Sequence, residues 1–238
     1  MTYLGCAGWS LSGPYVEEFP QAGSHLQRYA ARLGAVEINS SFYRPHRPQT
    51  YARWAASVPE GFRFSVKVPK TITHELRLKA GDELLDAFLD QCGQMQDRLG
   101  CLLVQLPPSL EYDTYVAERF FESLRLRYPG PVAVEPRHPS WRTAQAVLWA
   151  FQIAQVAASP PRFEDDAQPG GWPGLVYWRL HGEPRIYHSD YPEAYLKCLA
   201  KRLQASSAGN VPTWCIFDNT ASGAALGNAL VMQACLDH

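Results

Sequence analysis

The hydrophobic pattern of this chain is a repeated alternation between short continuous apolar runs and longer segments with helical spacing. The apolar runs predict strands at Tyr3–Ala7, Ala35–Ile38, Phe62–Val68, Cys101–Leu106, Val132–Glu135, Ile153–Ala158, Leu175–Leu180 and Pro212–Phe217. Between them the spacing predicts helices. Ser24 is placed to cap one that runs to about Leu33, with Gly34 as its stop, and Pro48 opens a short one through Trp54 to Ser57. Asp82 starts a longer helix to Leu99, ended by Gly100, whose positions Leu84, Leu85, Phe88, Leu89, Cys92 and Met95 form one apolar stripe. Asp113 caps a helix through Arg127, another runs from about Arg142 to Phe151, one starts at Ser189 or Asp190 and reaches Gln204, and the last begins near Ser222. The stretch Ser159–Pro173 is rich in proline, glycine and acids and reads as an irregular loop.

Eight strand-then-helix units at a spacing of roughly 30 residues match the size of a βαβ unit. Strands that are apolar throughout, rather than alternating, suit a parallel sheet covered on both faces. The pattern therefore predicts an α/β fold, a single-domain (β/α)8 TIM-type barrel over residues 1–238. A doubly wound open sheet is the competing arrangement. It lacks support because Gly5, Gly8 and Gly13 do not make a phosphate-binding fingerprint after the first strand.

Composition changes this picture little. The 238 residues are 46% hydrophobic and 19% charged with a formal net charge of -1, an ordinary balance that supports neither a nucleic-acid nor an anionic-membrane partner. No apolar run approaches a membrane span, and the N-terminal residues do not read as a signal peptide. The six cysteines form no Cys-x-x-Cys pair and read as buried reduced thiols, so a cytoplasmic location is expected. Twelve tyrosines and seven tryptophans make the chain rich in aromatics, as clefts for planar or sugar-like ligands often are.

The chemistry collects at one end of the predicted strands. In a barrel, the loops that follow the strand C-termini build the active site. Residues at those positions are Trp9, then Glu37, Asn39 and Tyr43, then Lys67 with His74 in its loop, then Gln105. Glu135, Arg137, His138 and Trp141 follow the fifth strand, Arg179 and His181 the seventh, and Asp218 and Asn219 the eighth. Structural readings stand beside each: Glu37 as an ion-pair partner of Lys67 or Arg137, Gln105 as a satisfied core amide, Trp9 and Trp141 as packing aromatics. Read together, Lys67, Arg137 and Arg179 are candidates to supply an anion site for phosphate, sulfate or carboxylate. Glu37 and Glu135 are a candidate acid–base pair, with His74 and His181 as proton-transfer partners. Trp9, Asn39, Tyr43, Gln105, His138, Trp141 and Asn219 complete the candidate substrate contacts.

Several blocks carry a family resemblance. They are Gly5-Cys6-Ala7-Gly8-Trp9-Ser10, Val36-Glu37-Ile38-Asn39-Ser40-Ser41-Phe42-Tyr43-Arg44, Pro59-Glu60-Gly61-Phe62-Arg63-Phe64-Ser65-Val66-Lys67 and Ile72-Thr73-His74. The later ones are Gln105-Leu106-Pro107-Pro108, Arg137-His138-Pro139-Ser140-Trp141, Arg179-Leu180-His181-Gly182 and Phe217-Asp218-Asn219. In this order they resemble the YecE-like family, domain of unknown function 72. The resemblance covers essentially the whole chain and implies a TIM-type barrel, but no established reaction. The chain departs from the family pattern in three places: Pro136 in place of an apolar strand residue, Ser159 near a frequent Asp, and the pair Asp218 and Thr220 in place of Asn and Asp. The last departure argues against a site role for Asp218.

The expectation is an enzyme that acts by acid–base catalysis on a small anionic substrate, phosphorylated or sugar- or nucleotide-like, by hydrolysis, elimination or isomerisation. A glycoside hydrolase-like carboxylate pair, Glu37 with Glu135, is one alternative. A non-catalytic metabolite- or nucleic-acid-binding barrel with aromatic stacking platforms is another. No cofactor is predicted. A divalent-metal hydrolase is the third alternative, its ligands drawn from separate strands because no His-x-x-x-His spacing exists.

Overall fold

A computed structural model describes residues 1–11 and 13–237. Its strands in chain order are β1 (Thr2–Ala7), β2 (Ala35–Ile38), β3 (Arg63–Lys67), β4 (Leu99–Gln105), β5 (Val132–Glu135), β6 (Ile153–Gln155), β7 (Ala157–Ser159), β8 (Gly170–Gly171), β9 (Val176–Leu180) and β10 (Thr213–Phe217). The sheet order is β7-β9-β10-β1-β2-β3-β4-β5-β6-β8. All pairs are parallel except β6 with β8. β6 pairs with β5 and β7 with β9, and only Val156 separates them, so one continuous stretch closes the ring. The result is the TIM-type barrel that the apolar runs predict.

Seven α-helices follow: α1 (His25–Ala30), α2 (Pro48–Ala56), α3 (Asp82–Cys92), α4 (Thr114–Arg127), α5 (Gln145–Ala150), α6 (Glu193–Ala208) and α7 (Ala224–Leu236). The sixth unit departs from the expected eightfold repeat. Among the described residues it has a 3-10 turn, Glu164–Ala167, and the β8 bridge in place of an α-helix. Local signals hold at two caps. Ser24 and Gln27 make a reciprocal capping box on α1, and Asp113 accepts from the Val116 N–H at the start of α4. They fail at two stops. α1 ends at Ala30, before Gly34, and α3 ends at Cys92. A 3-10 segment then turns at Gln96, where φ is 51°, so Gly100 lies inside β4 instead of ending a helix. Leu84, expected in the buried stripe of α3, is exposed, and the buried face is Leu85, Phe88 and Cys92.

The strands sort their side chains by parity. Val36, Phe64, Val66, Leu102, Val104, Val132, Val134, Leu180 and Cys215 pack outward against the helices. Ala35, Cys101, Leu103, Ala133, Ala154, Tyr177, Trp214 and Ile216 form the barrel interior. Trp214 stacks on Tyr177 there and meets Tyr3 at a tilt on its other contact, with ring centroids 5.7 and 4.8 Å apart. At Gly5 the pairing with β2 is so close that a Cβ would lie 1.9 Å from the Ala35 carbonyl oxygen, so no larger residue fits. No helix among the described residues is long and apolar enough to cross a membrane.

Candidate functional site

The inward parity that is apolar deep in the barrel becomes charged at the strand C-termini. Residue Ala35 is followed two places on by Glu37, Ser65 by Lys67, Ala133 by Glu135, Tyr177 by Arg179 and His181, and Ile216 by Asp218. All of these charged side chains are buried. A cluster of ions removed from water persists only where each charge meets a partner.

Arg179 is the centre of that pairing, and its side chain is fully buried. Its Nε and Nη2 donate to Glu37 Oε2 and Oε1 at 3.0 and 2.7 Å, a bidentate fork. Nη1 donates to Glu135 Oε2 at 2.5 Å, and Nη2 also reaches Asp218 Oδ2 at 3.0 Å. Arg137 takes the other oxygen of Glu135 through Nε and Nη2, at 3.0 and 2.8 Å. His181 spans Asp218 Oδ2, 3.0 Å from Nδ1, and Glu135 Oε1, 3.2 Å from Nε2. Both ring nitrogens face carboxylates, an arrangement that the doubly protonated ring satisfies. Burial works against that charge, but Glu135 and Asp218 outweigh it and hold the imidazole above its usual value. Burial likewise opposes the ionised form of Glu135, and Arg179, Arg137 and His181 overcome it, so this carboxyl is held well below the usual range. Asp218 is lowered in the same way, chiefly by Arg179. Beneath the network the Tyr177 hydroxyl donates to Glu37 Oε2 at 3.0 Å and shares a hydrogen bond with Ser65 Oγ at 2.8 Å.

Lys67 stands outside this pairing. It is 5% exposed, and among the described residues its ammonium has no carboxylate within ion-pair distance. Its Nζ lies 4.2 Å above the centroid of the Phe42 ring. Burial, and then the positive charge of Arg179, bring the amine down to about 8. The His74 ring packs edge-on against the same Phe42 ring at 4.8 Å, with Nδ1 2.9 Å from Thr73 Oγ1. Burial, Lys67 and Arg137 push His74 below its usual value. The charges therefore balance three against three, Glu37, Glu135 and Asp218 against Arg179, Arg137 and imidazolium His181, and Lys67 is left over.

The other expected contacts divide. Gln105 is buried and pairs in register with Glu135 across β4 and β5. Asn39 follows β2, and its buried Oδ1 has no hydrogen-bond partner. Tyr43 is exposed, its ring edge-on to Phe42. Trp9 packs edge-on against Trp54, 5.0 Å away. His138 caps the turn after β5 by accepting the Ser140 N–H, and the buried Trp141 donates its indole N–H to Leu110 O at 2.9 Å. Asn219 donates to Ser189 O and Asn228 Oδ1, tying the loops after β9 and β10 together. For Trp9, Trp141 and Asn219, the observed contacts are those of loop packing. Asp218, set aside on the resemblance, is part of the network, and Tyr177, Ser65 and Phe42 join it without a prior signal.

A cavity of about 30 Å³ opens beside the network between Glu135, Arg137, His181 and Tyr187, room for a water or two. A larger one of about 240 Å³ lies next to it, walled by His138, Trp141, Gln155 and Phe163. The two share Pro136 and Asp166. Among the described residues no group of three or more His, Cys, Asp or Glu is placed to hold a metal ion.

The chain was compared with known proteins. The model of a family described as "Protein of unknown function DUF72" matches residues 3–238. The UPF0759 protein YecE of Escherichia coli K12 is 30% identical over 145 residues, which is 59% of this chain and 50% of that protein. YunF of Bacillus subtilis, another UPF0759 protein, is 27% identical over 114 residues, 45% of this chain and 40% of that one. The matches thus span half or less of these relatives' length. A DUF72 family protein from Thermotoga maritima superposes with a TM-score of 0.80 at 27% identity, covering 100% of both chains. One from Enterococcus faecalis gives 0.81 at 22% identity, covering 100% of this chain and 96% of the other.

Proposed function

For a chain that belongs to the DUF72 family, we propose that the barrel mouth binds a small anionic substrate and acts on it by proton transfer. A phosphorylated or carboxylated sugar- or nucleotide-like molecule fits the reading. One observation carries it: the carboxylates of the network are already engaged, and Lys67 is a buried cation with no carboxylate within ion-pair distance among the described residues. An anionic group about 4 Å from such an ammonium gains on the order of 4 kcal/mol at a near-surface effective dielectric. Burial and Arg179 still outweigh the more distant Glu37, Glu135 and Asp218 at Lys67, so one anion at the ammonium acts in the direction of restoring its charge.

The roles follow from the direction of each shift. Lys67 and Arg137 meet the anion. His74, pushed below its usual value, accepts and returns the proton, and His181, with both ring nitrogens on carboxylates, holds Glu135 and Asp218 in place. Glu37 and Glu135, expected as the acid–base pair, act in this proposal by positioning Arg179, Arg137 and His181. All six cysteines are free thiols, which supports a reducing, cytoplasmic setting.

The test is a thermal-shift panel of sulfate, phosphate and small carboxylates on the wild type and Lys67→Met. The midpoint should rise with anion for the wild type and stay flat for the variant. Equal shifts in both, or none in either, would defeat the reading. Turnover of phosphorylated sugars and nucleotides, followed by mass spectrometry, separates catalysis from binding alone.

A further inference from the structure

We propose that Lys67 is a covalent site, its amine forming an imine with the carbonyl carbon of a small anion such as a 2-oxo acid or a keto phosphate. The inference deepens the anion-binding reading and rests on it, because the anionic group brings the carbonyl to the amine.

The placement singles out this lysine. Of the five lysines in the chain, it is the buried one. Lys70 and Lys197 are held in ion pairs with Glu75 and Glu193. Lys67 ends β3 on the inward side, and no salt bridge has to break to release its amine. Phe42 gives it a shared wall with His74: Nζ lies 4.2 Å from the ring centroid, and the imidazole centroid 4.8 Å from the same point. Thr73 Oγ1 occupies His74 Nδ1, which leaves Nε2 to handle protons. Arg137 spends Nε and Nη2 on one oxygen of Glu135 and hydrogen-bonds Tyr187 as well, and its positive charge, which reaches His74, favours the substrate's carboxylate or phosphate on this side of the mouth. Burial and the neighbouring Arg179 bring the amine to about 8, so a usable fraction is neutral near physiological pH.

The chemistry balances without a redox partner. The amine lone pair attacks the carbonyl carbon, and the C=O electrons move to oxygen. The nitrogen gives up a proton to His74, which passes it to that oxygen and leaves a neutral carbinolamine. A second proton, drawn from solvent water through His74, goes to the hydroxyl; the C–O bond breaks, water leaves and the C=N bond forms as an iminium. The resulting iminium withdraws electrons from the adjacent carbon. The reaction class it serves is therefore proton removal or C–C cleavage beside the carbonyl.

The experiment treats the full chain with sodium borohydride in the presence of pyruvate or of dihydroxyacetone phosphate, then maps modified peptides by mass spectrometry. One reduced adduct per chain is expected, on the Lys67 peptide, with a yield that climbs around pH 8. The better of the two probes identifies the anionic group. Lys67→Arg should lose the adduct while phosphate still raises its melting midpoint. No adduct, or label spread evenly over Lys70, Lys79, Lys197 and Lys201, overturns the covalent step. If anions still raise the wild-type midpoint in that case, only the covalent step falls. If they do not, the anion-binding reading falls with it.

Discussion

Replacing Lys67 by methionine should make the protein more stable. Lysine at this position is taken from an ordinary value of 10.5 to about 8, chiefly by burial. That difference corresponds to about 3 kcal/mol favouring the neutral amine. Methionine has a similar length, keeps the contact with Phe42 and carries no charge to desolvate, so most of that energy should return to the folded state. The sign with pH is definite. Between the folded and unfolded values the unfolded chain binds more protons, so wild-type stability rises with pH across this window. The advantage of Lys67→Met should therefore be full below pH 8 and gone above about 10.5. Urea denaturation at pH 7 and pH 10.5 measures it, with an unchanged m-value as the check that only stability moved. A variant less stable than the wild type at pH 7, or an advantage that does not depend on pH, would refute the reasoning.

Arg179→Lys keeps a charge but loses the fork that joins three carboxylates, and it should cost about 3–5 kcal/mol in urea denaturation; an unchanged midpoint would show that the carboxylates find other partners. Glu135, held below its usual value, should contribute stability that is present above pH 4.5 and is lost as pH falls through its depressed value. His181, held above 6.5, should contribute stability that is complete below 6.5 and is lost as pH rises through its raised value. Melting curves of Glu135→Gln and His181→Gln against pH should each lose the corresponding limb, and retention of both limbs would contradict the assignments. Tyr177→Phe should cost about 1–2 kcal/mol by removing a hydroxyl between Glu37 and Ser65. Its effect should be less than additive with Ser65→Ala.

The barrel was legible because buried parallel strands leave largely apolar runs, and most of the runs led into polar residues at their C-terminal end. What the runs concealed was parity. Tyr177 reads as one more apolar strand residue until it is placed two positions before Arg179, and Asp218 lies two positions beyond Ile216 on the inward face. Counting inward positions from Trp214 and Ile216 would have admitted Asp218, where the departure from the family pattern excluded it. The loops gave no such rule. Asn219 follows its strand as closely as Arg137 does, and Trp141 lies on the same loop as Arg137, yet their side chains turn back to hydrogen-bond Ser189 O and Leu110 O. Helix stops failed for a related reason: the turn before β4 is made at Gln96, a residue type that gives no warning of positive φ.

The proton-transfer groups change for an electrostatic reason. A glycosidase-type pair needs one carboxyl held protonated at neutral pH, which requires burial without compensating cations. Glu135 has burial together with two guanidiniums and an imidazolium, and it is driven the opposite way. Glu37 is fully buried, with both oxygens on Arg179. The same cations act on the far side of the site. Lys67 and His74, which have no carboxylate bound to them in the network, are pushed toward their neutral forms. Arg179 thus gathers the carboxylates by hydrogen bonds, lowers Glu135 and Asp218 and adds to the burial that discourages charge on Lys67, and this one buried guanidinium divides the mouth into a saturated ionic wall and a basic edge. Removing the Lys67 charge should leave that wall intact and abolish the response to anions, whereas disrupting Arg179 should damage the fold itself.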